Sequence, residues 1–262
     1  MLLQASTFFE FYAEYPVTSI FMLRSKSEHA QIIRQEAFLT TPLLPLSEYI
    51  DTHGNICQRT ILPAGITTIE SSVIAECDMH IDVNTDAAYV AIEDLPDHVL
   101  QYLLPSRYCE ADKVGAQAME IVKDIQSAYA QVEAIRQWCY SNLYRQYGTT
   151  NSSTSAMDVL GSRTGVCRDF THVAISLCRS INIPARMVVG YLYELKPMDL
   201  HAWFEAYVGN RWYTFDALME QPVGGRIIMA YGRDAADVAF ASHFGEVVMV
   251  KMEVKVEEVK LS

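Results

Sequence analysis

Residues 201–216 read HAWFEAYVGNRWYTFD, two alternating strands around the two-residue turn Gly209-Asn210. Gly and Asn accept the positive φ values that tight hairpin turns demand, so the turn fixes the register of the strands. With Val208 opposite Arg211, Trp203 falls opposite Asp216. His201 then sits one diagonal step from Asp216 on the same face. Diagonal neighbours lie roughly 7–8 Å apart at the backbone, a gap that an imidazole and a carboxylate can close with a hydrogen bond. A loop two residues longer would keep both on one face but slide them apart.

Upstream, Phe170, Val173, Ala174, Leu177, Cys178 and Ile181 recur at helical spacing, and the pattern stops at Asn182 and Pro184. This helix begins at about Arg168, which puts Cys167 at its N-terminus, just after Gly165. Unpaired amides there favour thiolate over thiol, and the Cys167 N–H is placed to help bind an oxyanion. Taken alone, a cysteine is more often a small apolar core residue, the role that Cys178 fits on the helix's apolar stripe. A histidine among aromatics is commonly a packing residue, and an aspartate can simply end a strand. A helix-capping Cys with a His and an Asp in register is harder to obtain by accident, and it suggests nucleophile, base and orienter. Asp169 is favourable at a helix start for dipole reasons alone, so a structural role is expected for it. His172 is read as a solvated or core-capping histidine. Trp138 and Trp212 are read as core or cleft walls, and Trp203, beside His201, as the best candidate for a substrate-contacting aromatic.

Around this centre the pattern divides. Strands are expected over 185–195, 201–208, 211–215 and 248–256, and helices around 114–125 and 132–139. Before Leu104-Pro105-Ser106 the signal is different. The odd positions from 69 to 83 are largely apolar, the period of a long half-buried strand. Runs at 19–23 and 56–62 are bounded by turn signals such as His53-Gly54-Asn55 and Pro63-Ala64-Gly65. The expected organisation is an antiparallel β-domain over 1–105 and an α+β domain over 106–262, helices first and strands after.

Composition narrows the partners. With 32 acidic against 20 basic residues, a formal net charge of −12, the chain lacks the clustered cations that phosphate backbones require, and no nucleic acid partner is expected. The apolar start is interrupted by Glu10 and Glu14 and has no basic leader, so it does not read as a signal peptide. No run of about 18 apolar residues occurs, so no membrane span is expected and a cytoplasmic location is. The six scattered cysteines read as reduced thiols. Cys77-Asp78-Met79-His80 has no second ligand pair, and no metal site is expected.

The segments Gly165-Val166-Cys167-Arg168-Asp169-Phe170, Ile183-Pro184-Ala185-Arg186, Gly190-Tyr191, His201-Ala202-Trp203 and Phe215-Asp216 resemble the bacterial transglutaminase-like superfamily over about residues 100–262. The resemblance implies a papain-like core, here preceded by an antiparallel β-domain, with Cys167, His201 and Asp216 as catalytic triad. It further implies attack on a carboxamide or peptide carbonyl of a protein or peptide substrate, through a thioester resolved mainly by water and in part by amines, without a cofactor. Eukaryotic relatives use calcium, but no acidic loop here has calcium-ligand spacing. Ala217 replaces the proline that frequently follows the family's aspartate. Members also include inactive scaffolds, so a non-catalytic papain-like binding scaffold is the alternative, against which the intact triad speaks.

Overall fold

Alternation builds the first part of the chain, because every second side chain of a strand needs an apolar partner. The computed structural model describes residues 1–27 and 30–260. The strands β1 (Leu2–Ala13), β2 (Val17–Phe21), β3 (Gln31–Thr41), β4 (Ser47–Ile50), β5 (Ile56–Leu62) and β6 (Gly65–Cys77) come first. Helices follow: α1 (Asp97–Leu100), α2 (Gly115–Ile121) and α3 (Ala128–Asn142). Next come β7 (Tyr144–Arg145), α4 (Ala156–Ser162), β8 (Thr164–Gly165) and α5 (Cys167–Ser180). The chain then forms β9 (Ala185–Leu192), β10 (His201–Val208), β11 (Arg211–Phe215), β12 (Arg226–Gly232), β13 (Ala241–His243) and β14 (Val248–Glu258). The class is the expected mixture of helices and antiparallel sheets.

Three four-stranded antiparallel sheets carry the fold, in the orders β14-β1-β6-β3, β13-β2-β5-β4 and β11-β10-β9-β12. The third is covered on both faces. Phe170, Val173, Ala174 and Leu177 of α5 pack on one face against Met187, Ala202, Phe204 and Ala206. Val188, Trp203, Ile228 and Tyr231 pack together on the opposite face, while farther along the same strands Tyr191, Ile227 and Met229 join a core with Leu3, Phe9, Ile69 and Val73 of the first sheet. Two buried amides strengthen that contact. Gln31 exchanges hydrogen bonds with the Ile228 backbone at 2.9 and 2.6 Å, and Asn55 does the same with the Tyr231 backbone at 2.7 and 2.8 Å. The outer edge of β12 is thus paired by side chains of the β-rich region rather than left open.

Two expectations need correction. The alternation from 69 to 83 predicts one long strand, but β6 ends at Cys77. The Asp78 carbonyl instead accepts the Gly225 N–H at 2.9 Å, which draws the chain off the ladder. Residues 248–258, expected with the second domain, pair with β1 from Leu3↔Glu258 to Tyr12↔Val248, and β13 pairs with β2. β1 therefore has a partner on each side, and a single boundary at residue 105 does not separate the sheets.

The register of β9 and β12 depends on Gly190. A Cβ there would lie 2.0 Å from the Ile227 carbonyl oxygen and 3.1 Å from the Trp203 ring. Gly190→Ala is expected to lower the unfolding free energy by about 1–3 kcal/mol in urea titration, because strand backbone must move. A wild-type midpoint would contradict that close approach.

Candidate active site

Cys167 is the first residue of α5 and is partly exposed. The entry to the helix is fixed by Asp169, which is fully buried. Its Oδ2 accepts the Val166 N–H at 2.9 Å and the Thr150 hydroxyl at 2.7 Å, while Oδ1 pairs with Arg168 at 2.9 Å. Asp169 thus satisfies a helix-start amide and has the structural role expected of it. A side chain at Gly165 would meet the Asp169 Cβ at 2.8 Å, so only glycine leaves room for this cap.

The hairpin has the expected register, with Val208↔Arg211 and Phe204↔Phe215, and both turn residues have positive φ, 56° at Gly209 and 65° at Asn210. His201 opens β10 and Asp216 follows β11, and their side chains meet with Nε2 and Oδ2 2.7 Å apart. Against an ionised carboxylate this nitrogen carries the proton, so in neutral His201 the lone pair is on Nδ1. Nδ1 is buried without a hydrogen-bond partner. Burial disfavours the imidazolium, but the Asp216 charge and hydrogen bond outweigh it, helped by the Cys167 thiol, and raise His201 to about 9. Asp216 accepts two further donors, Arg226 at 2.8 Å on Oδ2 and the Leu218 N–H at 3.0 Å on Oδ1. Burial would raise its pKa, yet His201 and Arg226 together hold it well below the usual carboxylate range.

Cys167 and His201 line one cavity of about 490 Å³. Trp203 does not. It is fully buried, 6.0 Å from the His201 ring and 4.8 Å beneath the Arg226 guanidinium, so it packs under the His–Asp pair instead of forming a substrate wall. His172 is a core residue. Its Nε2 accepts the Ala235 N–H at 3.1 Å, its ring stacks on Tyr108 at 5.1 Å, and burial, then the Arg168 charge, lowers it to about 3. It is therefore neutral and braces the Ala235 segment of the cavity wall. Arg226 was missed in the sequence. Its signal was a single arginine opening the apolar run Ile227-Ile228-Met229-Ala230-Tyr231, a position where charge needs a buried partner.

Residues 115–217 match the model of the transglutaminase-like superfamily. An uncharacterized protein of Mycobacterium leprae is 30% identical over 246 residues, covering 86% of this chain and 86% of that protein. An uncharacterized protein of Mycobacterium tuberculosis is 29% identical over 160 residues, 55% of this chain and 46% of its own length. A crystal structure of a candidate cysteine protease from Cytophaga hutchinsonii superposes with a TM-score of 0.94 at 34% identity, covering 100% of this chain and 92% of that one. The chain belongs to the transglutaminase-like superfamily. Among the described residues no helix is long and apolar enough to cross a membrane.

Two measurements follow from this geometry. The other five cysteines are buried, and burial raises Cys77 to about 11 and Cys109 to about 12. Iodoacetamide near pH 6 with peptide mapping is expected to label Cys167 first, and equal labelling of Cys57 or Cys109 would contradict the thiol's distinct setting. The second concerns pH. His201 binds its proton more tightly when folded, so its contribution to stability is fully present below its ordinary value of 6.5 and is lost as pH rises towards about 9. Urea titrations are expected to show stability falling over that window, and Asp216→Asn should flatten the fall. An equal slope in the variant would remove Asp216 as its cause.

Proposed function

We propose that this protein is a cysteine amide hydrolase of the transglutaminase-like class, acting on a protein or peptide substrate through Cys167, His201 and Asp216. The observation that carries the reading is the geometry: Asp216 engages Nε2 of His201 at 2.7 Å, and the same ring, whose Nδ1 is buried without a hydrogen-bond partner, lines the cavity that holds Cys167. The candidate-protease description of the Cytophaga neighbour agrees with it.

In the proposed reaction Cys167 gives its proton to His201 Nδ1 and its sulfur attacks a carboxamide or peptide carbonyl carbon. The carbonyl oxygen becomes an oxyanion beside the first amides of α5, which have no partner within the helix. As the C–N bond breaks, His201 returns the proton to the departing amine and a thioester is left on Cys167. Water then attacks the thioester, again with His201 as base, releasing a carboxylic acid and the thiol. Asp216 keeps the Nε2–H tautomer and stabilises the imidazolium. Primary amines compete with water as a minor route. Six free cysteines fit a reducing compartment, in line with a cytoplasmic location.

Profiling against peptide and glutamine-amide libraries tests the reading. Cys167→Ala is expected to abolish turnover, and Asp216→Asn to lower it by several orders of magnitude in a folded protein. Near wild-type turnover in Asp216→Asn would remove that residue from the mechanism. Mass spectrometry of products during amine titration should find mainly free acid. Predominant amide or isopeptide product at millimolar amine would make the enzyme a transferase instead.

A further inference from the structure

The cavity beside Cys167 has a wall supplied by the last strand of the chain. Met249 and Met252 of β14 both line it, although side chains at this spacing lie on opposite faces of a regular strand. The pairing with β1 shows how they come together. Glu10 pairs with Lys251 and Phe11 with Met249, so Val250 is left unpaired as a bulge. The bulge resets the alternation and turns both methionines to one side. A second bulge acts from the other sheet. Ile228 pairs with Gly190 and Ala230 with Val189, leaving Met229 unpaired, and Met229 also lines the cavity, with Met187 of β9.

Four thioethers on two sheets thus face one space. Methionine is unbranched and polarizable, and it adapts to apolar groups of different shape. Most polar neighbours in the lining are already engaged, and Asp199, whose Oδ1 accepts the Leu200 N–H at 2.8 Å, is the one carboxylate among the described lining residues. The Tyr108 hydroxyl donates to the Ser152 carbonyl at 2.6 Å, and Arg168 donates to Asp169 and to the Asn151 carbonyl at 2.9 and 2.7 Å. A carboxamide or carboxylate side chain packed against the four thioethers would lose hydrogen bonds to water that methionine cannot replace.

We propose that this methionine-lined space is a subsite for a bulky apolar side chain of the acyl donor, and that Met249 and Met252 set the preference. The inference rests on Cys167 being the nucleophile. It gives the β-rich region a task in catalysis, because β14 belongs to the first sheet. The favoured donor is then a peptide with a Leu-, Phe- or Met-like residue near the scissile bond, and glutamine is a poor occupant of the subsite.

The test uses the full chain and peptidyl acyloxymethyl ketones that differ in one side chain, Leu, Phe, Gln or Glu, scanned over the two positions before the reactive group. Capture of Cys167 is followed by intact mass, and the ratio of rates within each variant is the readout, so partial loss of folded protein cancels. Leu and Phe probes are expected to react about tenfold or more faster than Gln and Glu probes at one position. Met249 is 48% exposed, so substitution there is expected to leave the protein folded. Met249→Glu should bring the ratio to within about threefold, Met252→Gln should act in the same direction, and Met249→Leu should preserve the ratio. Equal capture of all probes, no capture, or an unchanged ratio in both polar variants would overturn the subsite. Matching peptide amides are assayed in parallel. Selective capture without hydrolysis would overturn the hydrolase reading and uphold the subsite, whereas hydrolysis without side-chain preference would overturn only the subsite.

Discussion

A carboxylate that is 3% exposed must be paired, and the pairing of Asp216 organises the third sheet. His201 reaches it from the start of β10, Arg226 from the start of β12, and the Leu218 amide from its own turn. Each partner alone would leave buried charge or buried lone pairs uncompensated. Together they tie three strand ends into one electrostatic unit. Trp203 lies under this unit with Arg226 over its ring, so the packing below the pair is set by the same contacts. The position of the imidazole follows from a constraint on the carboxylate.

The β-rich region holds this unit from behind. Gln31 and Asn55 each bond both polar groups of a β12 residue, and Thr7 meets the Tyr191 hydroxyl at 2.7 Å across the shared core. These bonds substitute for a missing neighbour strand and tolerate the bulge at Met229. On the far side of the cavity, β13 and β14 are paired with β2 and β1. The α5-packed core and the sheets of the β-rich region therefore share the walls of one space, and β14 reaches it by pairing with β1.

What could be read from the chain was local. The Gly209-Asn210 turn has positive φ at both positions, so it set the register of residues 201–216 without help from elsewhere. The apolar stripe of α5 and its stop at Asn182, with φ of 62°, were equally local. What could not be read depends on contacts distant in sequence. The end of β6 is decided by Gly225, the partner of β14 by the unpaired edge of β1, and the burial of Trp203 by Arg226. Arg226 itself could not be given a partner from the sequence, because its bond to Asp216 spans the irregular segment between β11 and β12.

Sharing the carboxylate also bears on the proposed chemistry. A base must take a proton from the thiol and give it back to the leaving amine, so an imidazole that holds its proton too tightly is as poor a catalyst as one that binds it weakly. Once the imidazole gives up its proton, a buried carboxylate with no other charged partner would be left uncompensated. Here Arg226 donates to the same Oδ2 that receives Nε2–H, and with His201 it keeps Asp216 ionised in a dry site. The guanidinium thus keeps the carboxylate charged when the imidazole has given up its proton, so the ring stays oriented through both protonation states that the proposed reaction uses.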